Sequence, residues 1–201
     1  LHDALPIYSC VIHAGVYYPP GSMKAKFCVK GNEILRKYML DNNLPILQCG
    51  KLIVAKDEDE LKRLHDIYDK GLKNGCKLEL VGENEARAID PTIAKTLKFP
   101  MIWSPNTASG NPKRLLAKLE EEVMSFSNIS IICQEGFQKL ISNDGKSIKF
   151  KTTKGRIFET GKFINAAGLY ADKIAHQFNV AREYTLIPLK GLYLIDKNPY
   201  Y

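Results

Sequence analysis

The spacing of apolar residues changes along this chain from a helical period to a strand period, and this change limits the fold class. One helical face is formed by Leu61, Leu64, Tyr68 and Leu72. Around Ile148 to Thr152, apolar and polar residues alternate instead, as in a half-buried strand. Both patterns recur without an internal repeat, which favours an α/β or mixed α+β fold. Consecutive short strands near 129–160 argue against a purely parallel sheet.

Local start signals predict the helices. Ser22 can cap a helix over about 23–41. Asp57 followed by Glu60 resembles a capping box, with an acid in place of the usual Ser or Thr. Asn111 before Pro112 gives an N-cap and an N1 proline. Shorter helical segments are expected near 83–88 and after Gly168.

Apolar runs between turn signals predict the strands. One is expected from Ile46 to Ala55, around the pair Gly50-Lys51. A buried strand running into a helix is expected at Lys162–Gly168. The remaining strands are expected at 129–133, 137–141, near 148–152 and at about 185–195.

Composition and charge restrict the functional class. The 201 residues are 45% hydrophobic and 25% charged, typical of one globular domain or one and a part. No apolar run approaches the length of a membrane span, and no secretory signal is visible, so a cytoplasmic location is expected. The net charge is 29 − 22 = +7. Because Lys and Arg are scattered among acids, no nucleic-acid partner is expected, whereas attraction of a small anionic substrate stays open.

The cysteines and histidines show no metal-site or disulfide spacing. The cysteines are Cys10, Cys28, Cys49, Cys76 and Cys133, and no C-x-x-C occurs. They are expected to be reduced core thiols of a cytosolic protein. The histidines are His2, His13, His65 and His176, and none forms a local metal pair. No metal is therefore expected.

Four segments carry residues suited to binding or catalysis. Small residues at Asn165–Gly168 let a backbone approach a ligand closely, or merely permit tight packing of helix on sheet. In Ser9–Tyr18, His13 can accept a hydroxyl proton when neutral, although a lone histidine is more often structural. Lys51 and Lys190 each lie beside glycine in an apolar strand, where a lysine either faces an anion or extends its charge to solvent from a sheet edge.

Read together, these segments resemble a known family. The strongest matches are the run from Val11 to Lys26, Gln48–Ala55, Tyr68–Gly75, Ser104–Thr107 and Asn165–Asp172. They resemble the L-2-hydroxyglutarate dehydrogenases (oxidases), FAD enzymes of the D-amino-acid-oxidase-like superfamily. The resemblance covers about residues 9–195.

The resemblance implies a fold and a division into domains. Residues 9–45 and 126–182 would form parts of a Rossmann-like FAD-binding domain. Residues 46–125 and 183–201 would form parts of an inserted substrate domain built on a mixed β-sheet. Residues 1–8 are unassigned, because they do not resemble the family.

The resemblance also implies site residues and a reaction. The cofactor-binding residues would be Ser9, His13, Ala14, Gly15, Phe137, Ala166, Ala167 and Gly168. The catalytic or substrate-side residues would be His13, Lys51, Lys190 and Tyr193. L-2-hydroxyglutarate, a small dicarboxylate, would lose a hydride to the flavin while His13 removes the hydroxyl proton. The electron acceptor would be oxygen or a membrane quinone, the latter requiring association with the inner face of a membrane.

The chain departs from the family at several positions. It contains no G-x-G-x-x-G loop, which in the family holds the pyrophosphate. The loop Ser109–Pro112 differs from the family, which usually has an acid there, and Leu192 stands where many members have an acid. The chain therefore resembles a fragment cut at both ends, and we expect it to be inactive alone. The alternatives are a related FAD oxidoreductase acting on another 2-hydroxy acid, an amino acid or glycerol-3-phosphate, and a non-catalytic remnant or binding module.

Overall fold

A computed structural model describes residues 9–93 and 96–189 of the chain. These residues form two compact units, with the boundary between Ser130 and Ile131. The assignment of residue ranges to an FAD-binding and a substrate domain stays a prediction.

The helices of the first unit lie where the sequence predicts them, and three of them begin at the predicted caps Ser22, Asp57 and Asn111. They are α1 (Met23–Asp41), α2 (Glu58–Lys73), α3 (Glu83–Ile89) and α4 (Pro112–Met124). The Ser22 side chain accepts a hydrogen bond from the backbone N–H of Ala25, at 3.1 Å. Asp57 does the same for Glu60 at 2.8 Å, and the Asn111 side chain caps α4. These bonds satisfy N–H groups that have no partner within the helix.

Six short strands of the first unit form two antiparallel sheets. They are β1 (Val11–Ile12), β2 (Ile46–Leu47), β3 (Leu52–Ile53), β4 (Glu79–Val81), β5 (Met101–Trp103) and β6 (Ala108–Gly110). The strand orders are β1-β6-β2 and β3-β5-β4. The central strand of each sheet runs opposite to both neighbours, so the described pairings are antiparallel. The resemblance implied a mixed sheet, and this detail was wrong for the described residues.

The single strand predicted at 46–55 is also wrong, because the chain changes sheets there. β2 and β3 belong to different sheets and are separated by Gln48–Lys51. Gly50 has φ +65°, a left-handed conformation that interrupts a strand. Its N–H donates to the carbonyl of Thr107, at 3.0 Å. A Cβ at Gly50 would overlap the indole ring of Trp103, so the turn packs directly under that ring.

Buried side chains in the first unit form three clusters. The largest includes Ala14, Val16, Leu64 and Ile102, and so joins the segment after β1 to α2 and β5. A second contains Ile12, Met39 and Ala108, between α1 and the β1-β6-β2 sheet. A third is formed by Val81, Ala86 and Met101. The first two clusters fix both ends of the short segment around His13.

The second unit is an antiparallel meander followed by a short helix. Its strands are β7 (Phe137–Asn143), β8 (Ile148–Thr152) and β9 (Ile157–Thr160), in that order. A 3-10 turn at Gly168–Tyr170 leads into α5 (Ala171–Gln177). Contacts between rings, with centroids 4.9 to 6.1 Å apart, link Phe137, Phe150, Phe158, Phe163 and Phe178. This half-buried aromatic cluster packs the meander against the segments that precede and follow α5.

Two strands predicted in this part of the chain do not form. Residues 129–133 and 162–168 lack strand structure, and Ile164 is 88% exposed rather than buried. No described strand pairs with either segment, and an extended segment needs a neighbour for its N–H and C=O groups. Of the strand predicted at about 185–195, residues 185–189 are not in strand structure and the rest lies outside the described residues.

The five cysteines are free thiols, but the expectation that they lie in the core was mostly wrong. Cys76 is buried and Cys28 half-buried, whereas Cys10, Cys49 and Cys133 are exposed because they lie in irregular segments. Across residues 9–93 and 96–189, no three His, Cys, Asp or Glu side chains come together as metal ligands. Within the same ranges, no helix has the length and apolar character needed to cross a bilayer.

Candidate functional site

The segment His13–Tyr18, here called the His13 loop, leaves β1 and runs across the core of the first unit. Ala14, Gly15 and Val16 are buried, whereas His13 and Tyr17 are exposed. Gly15 has φ +93°, and a Cβ there would lie 2.7 Å from Val29 of α1. Only glycine therefore combines this turn with the close approach of α1.

Lys51 reaches the His13 loop from the turn between β2 and β3. Its ammonium group lies 4.8 Å from the centre of the Tyr17 ring, within the range of a cation–π interaction. His13, Tyr17, Tyr18, Lys51 and Thr107 together line a narrow cleft. Its free volume is about 10 Å³, room for one water molecule, so a larger ligand would contact the mouth of the cleft.

The pKa of His13 lies below its ordinary value. Partial burial of the ring is the larger cause, and the positive charge of Lys51 is the second. Both disfavour the protonated imidazole. His13 is therefore neutral at pH 7 and able to accept a proton.

Side chains from α1 and from the end of α2 hold the backbone of this region. The thiol of Cys28 donates to the carbonyl of His13 at 3.4 Å, and that of Cys76 to the carbonyl of Ala14 at 3.0 Å. The side-chain amide of Asn74 donates to the carbonyls of Gly15, at 3.1 Å, and Tyr18, at 2.8 Å. The loop is thus fixed by side-chain donors rather than by strand pairing.

A fourth donor holds the end of β1. The Asn32 amide donates to the carbonyl of Ile12 at 3.1 Å and to that of Asn106 at 2.9 Å. These four residues were not predicted from the sequence, because they lie 15 to 74 positions from their acceptors. Asn32 did carry a signal, because it is a polar residue on the face of α1 that also carries Cys28, Leu35 and Met39.

A larger and mostly apolar cavity lies beside the start of the His13 loop. Its volume is about 320 Å³, within the usual range of small-molecule sites. Its lining includes Ser9, Ile12, His13, Leu35, Met39 and Leu115. Ser9 is half-buried there and accepts a hydrogen bond from the N–H of Val11, at 3.4 Å.

The remaining predicted cofactor residues lie in the second unit. The Phe137 ring is half-buried and packs against the rings of Phe150, Phe163 and Phe178. Ala166 and Gly168 are exposed, and Ala167 is half-buried. The Asn165 side chain accepts from the N–H of Ala167 at 3.2 Å and donates to the carbonyl of Ala171 at 2.8 Å. The small residues thus form an exposed turn that a ligand can reach.

The structure brings together only part of the predicted site. His13, Ala14, Gly15 and Lys51 meet in the first unit, and Ser9 lies beside them on the apolar cavity. Lys190 and Tyr193 lie outside the described residues. The roles of all these residues in binding and catalysis stay predictions.

The family model described as FAD dependent oxidoreductase (DAO) matches residues 9–200. L-2-hydroxyglutarate dehydrogenases are among the relatives. The mitochondrial protein of Nematostella vectensis is 33% identical, with 94% of this chain and 43% of the relative covered. The mitochondrial Homo sapiens protein is 30% identical, with 94% and 42% covered. The Salmonella houtenae protein is 30% identical, with 92% and 43% covered.

Solved structures show the same fold. L-alpha-glycerophosphate oxidase from Mycoplasma pneumoniae, solved with FAD bound, matches with a TM-score of 0.73 at 21% identity, covering 85% of this chain and 45% of that one. Glycine oxidase from Geobacillus kaustophilus matches with a TM-score of 0.74 at 15% identity, covering 89% and 49%.

The chain spans less than half the length of the relatives named above. The predicted mixed α/β fold, the resemblance to L-2-hydroxyglutarate dehydrogenases and the cofactor of the family, FAD, are confirmed. This chain belongs to the FAD dependent oxidoreductase (DAO) family.

Proposed function

We propose that the protein carrying this chain oxidises L-2-hydroxyglutarate to 2-oxoglutarate. The relatives named above, at 30 to 33% identity, support this substrate, because they are L-2-hydroxyglutarate dehydrogenases. The observation that carries the proposal is the cleft in which neutral His13 lies beside the cation of Lys51. A base next to a fixed positive charge suits the oxidation of a hydroxyl group on a carboxylic acid.

The residues present fit part of the cofactor. The apolar cavity of about 320 Å³ beside Ser9 and His13 offers a surface for an apolar ring system. The exposed turn Ala166–Gly168 offers backbone that a dinucleotide can approach. The chain carries no G-x-G-x-x-G loop for the pyrophosphate. We therefore propose that the 201-residue chain alone does not retain FAD, and flavin that copurifies with it would disprove this.

Residues of this chain accept the hydroxyl proton and bind the substrate. Bound FAD supplies the two-electron acceptor that the reaction needs. The hydroxyl proton passes to an imidazole nitrogen of His13 while the C2–H bond breaks with its electron pair and the C2 carbonyl forms. Lys51 binds a carboxylate at the mouth of the cleft, held in place by the Tyr17 ring. Lys190 and Tyr193 are proposed as further contacts to the substrate.

The test is anaerobic reduction of the flavin in the FAD-loaded protein that carries this chain, not in the 201-residue chain alone. L-2-hydroxyglutarate should bleach the flavin, whereas D-2-hydroxyglutarate, glycerol-3-phosphate and glycine should not. His13→Gln should slow the bleaching by about 10²- to 10⁴-fold, with little change in substrate affinity. Faster bleaching by glycerol-3-phosphate or an amino acid would replace the proposed substrate. Oxygen consumption compared with quinone reduction then identifies the electron acceptor.

A further inference from the structure

Asn74 makes contacts that a helix end does not require. It follows the last residue of α2, and its backbone N–H already bonds carbonyls of that helix. Its side-chain amide reaches across to Gly15 and Tyr18, 59 and 56 residues away in sequence. Both acceptors are carbonyl oxygens, so only the NH₂ group of the side chain can face them.

These two bonds bracket one turn of the His13 loop. Gly15 and Tyr18 enclose Val16, which is buried, and Tyr17, which lies beneath the ammonium group of Lys51. The position of Tyr17 therefore depends on the turn that Asn74 closes. Gly15 is also two residues from His13, so movement of this turn shifts both sides of the cleft.

We propose that Asn74 is a positioning residue, which holds the His13 loop so that His13 and the Tyr17–Lys51 pair face the same ligand. This rests on the proposed function of His13 and Lys51. Asn74 does not line the cleft itself and acts through the two carbonyls that it binds. Cys76 supports the same loop through the carbonyl of Ala14.

The chain contains a matched control. Asn42 follows α1 as Asn74 follows α2, and its side-chain amide also donates to a carbonyl. Its acceptor, Tyr38, belongs to its own helix, at 2.9 Å. Asn42→Ala therefore removes an amide at a helix end without releasing the His13 loop. Asn74→Ala removes such an amide and also releases the loop.

The experiment compares the two variants in the FAD-loaded protein that carries this chain. Asn74→Ala should lower kcat by about 10- to 100-fold, because small displacements of reacting groups are costly. It should also move the pKa of His13, followed by NMR titration, upwards as the ring loses its partial burial. Asn42→Ala should change neither quantity, although both variants lose some thermal stability. Asn74→Gln, which keeps an amide donor, should recover part of kcat.

The outcomes separate the two proposals. Equal losses of kcat in Asn74→Ala and Asn42→Ala, with an unchanged His13 titration in both, would show that Asn74 has only a structural role. A wild-type protein that does not oxidise L-2-hydroxyglutarate would disprove the proposed function, yet the His13 titration in the variants would still decide the role of Asn74. If Asn74→Ala does not fold, kcat and the His13 titration are measured in Asn74→Ser instead.

Discussion

The ammonium group of Lys51 lies over the aromatic ring of Tyr17, 4.8 Å from its centre. In the described part of the chain, no carboxylate forms an ion pair with this lysine. An aromatic ring orients a cation without neutralising it. The positive charge of Lys51 is therefore available to attract an anionic ligand, and it also lowers the pKa of His13.

Replacing Lys51 by methionine should raise the pKa of His13. The positive charge of Lys51 lowers this pKa, so its removal makes protonation of the imidazole easier. The value should stay below the usual 6.5, because partial burial is the larger cause of the shift. NMR titration of the His13 ring measures the change. Lys56→Met is the control, since Lys56 is exposed and outside the cleft. An identical His13 titration in wild type and Lys51→Met would contradict the electrostatic coupling.

Gly15→Ala should destabilise the protein by about 2–5 kcal/mol. An alanine at φ +93° is strained by about 1–2 kcal/mol, and overpacking against Val29 adds a further 1–3 kcal/mol. Gly21→Ala is the matched control, because Gly21 has φ +79° but no atom lies within 4 Å of the place that its Cβ would take. Urea unfolding of both variants separates the two contributions. Equal losses would show that Val29 yields and that the approach of α1 is not tight.

The helices could be predicted because their signals are local. Ser22, Asp57 and Asn111 each bond to an N–H within three residues, so the information lies within one turn of chain. Propensity and capping therefore suffice for α1, α2 and α4.

The site and several strands could not be predicted, since they depend on distant contacts. The break in the strand at Gly50 depends on Trp103, 53 positions further along. The donors that hold the His13 loop come from α1 and from the end of α2, and nothing near His13 in sequence indicates them. His13 and Lys51 were candidates from their residue types and neighbours, and the resemblance supplied their expected roles. The structure adds that they line one cleft.

Cys10→Gly should stabilise the protein by about 0.5–1 kcal/mol. Cys10 has φ +63°, a left-handed conformation that costs a residue with a side chain about 1–2 kcal/mol. Glycine removes this strain but adds about 0.4–1 kcal/mol of entropy to the unfolded chain. Thermal unfolding measures the difference. Cys10→Ala serves as the control, because it removes the thiol while keeping the Cβ and should give no gain. A loss of stability in Cys10→Gly would mean that the thiol makes a stabilising contact.

The second unit should lose stability as the pH falls from about 4.5 towards 2. Glu135 bonds to the guanidinium of Arg156 and, secondarily, to the hydroxyl of Thr152, and these bonds lower its pKa from the usual 4.5 to about 2. Because the folded pKa is the lower one, the unfolded chain binds the proton first, and acid favours unfolding throughout this window.

Glu135→Gln has no such proton to bind, so it should be less stable than wild type at pH 6 but less sensitive to acid. Hydrogen exchange of the β8 amides at several pH values measures this, with amides of α1 in the same molecule as an internal reference. Parallel pH dependences of β8 protection in wild type and Glu135→Gln would contradict the assignment and indicate that other carboxylates control the acid stability of the meander.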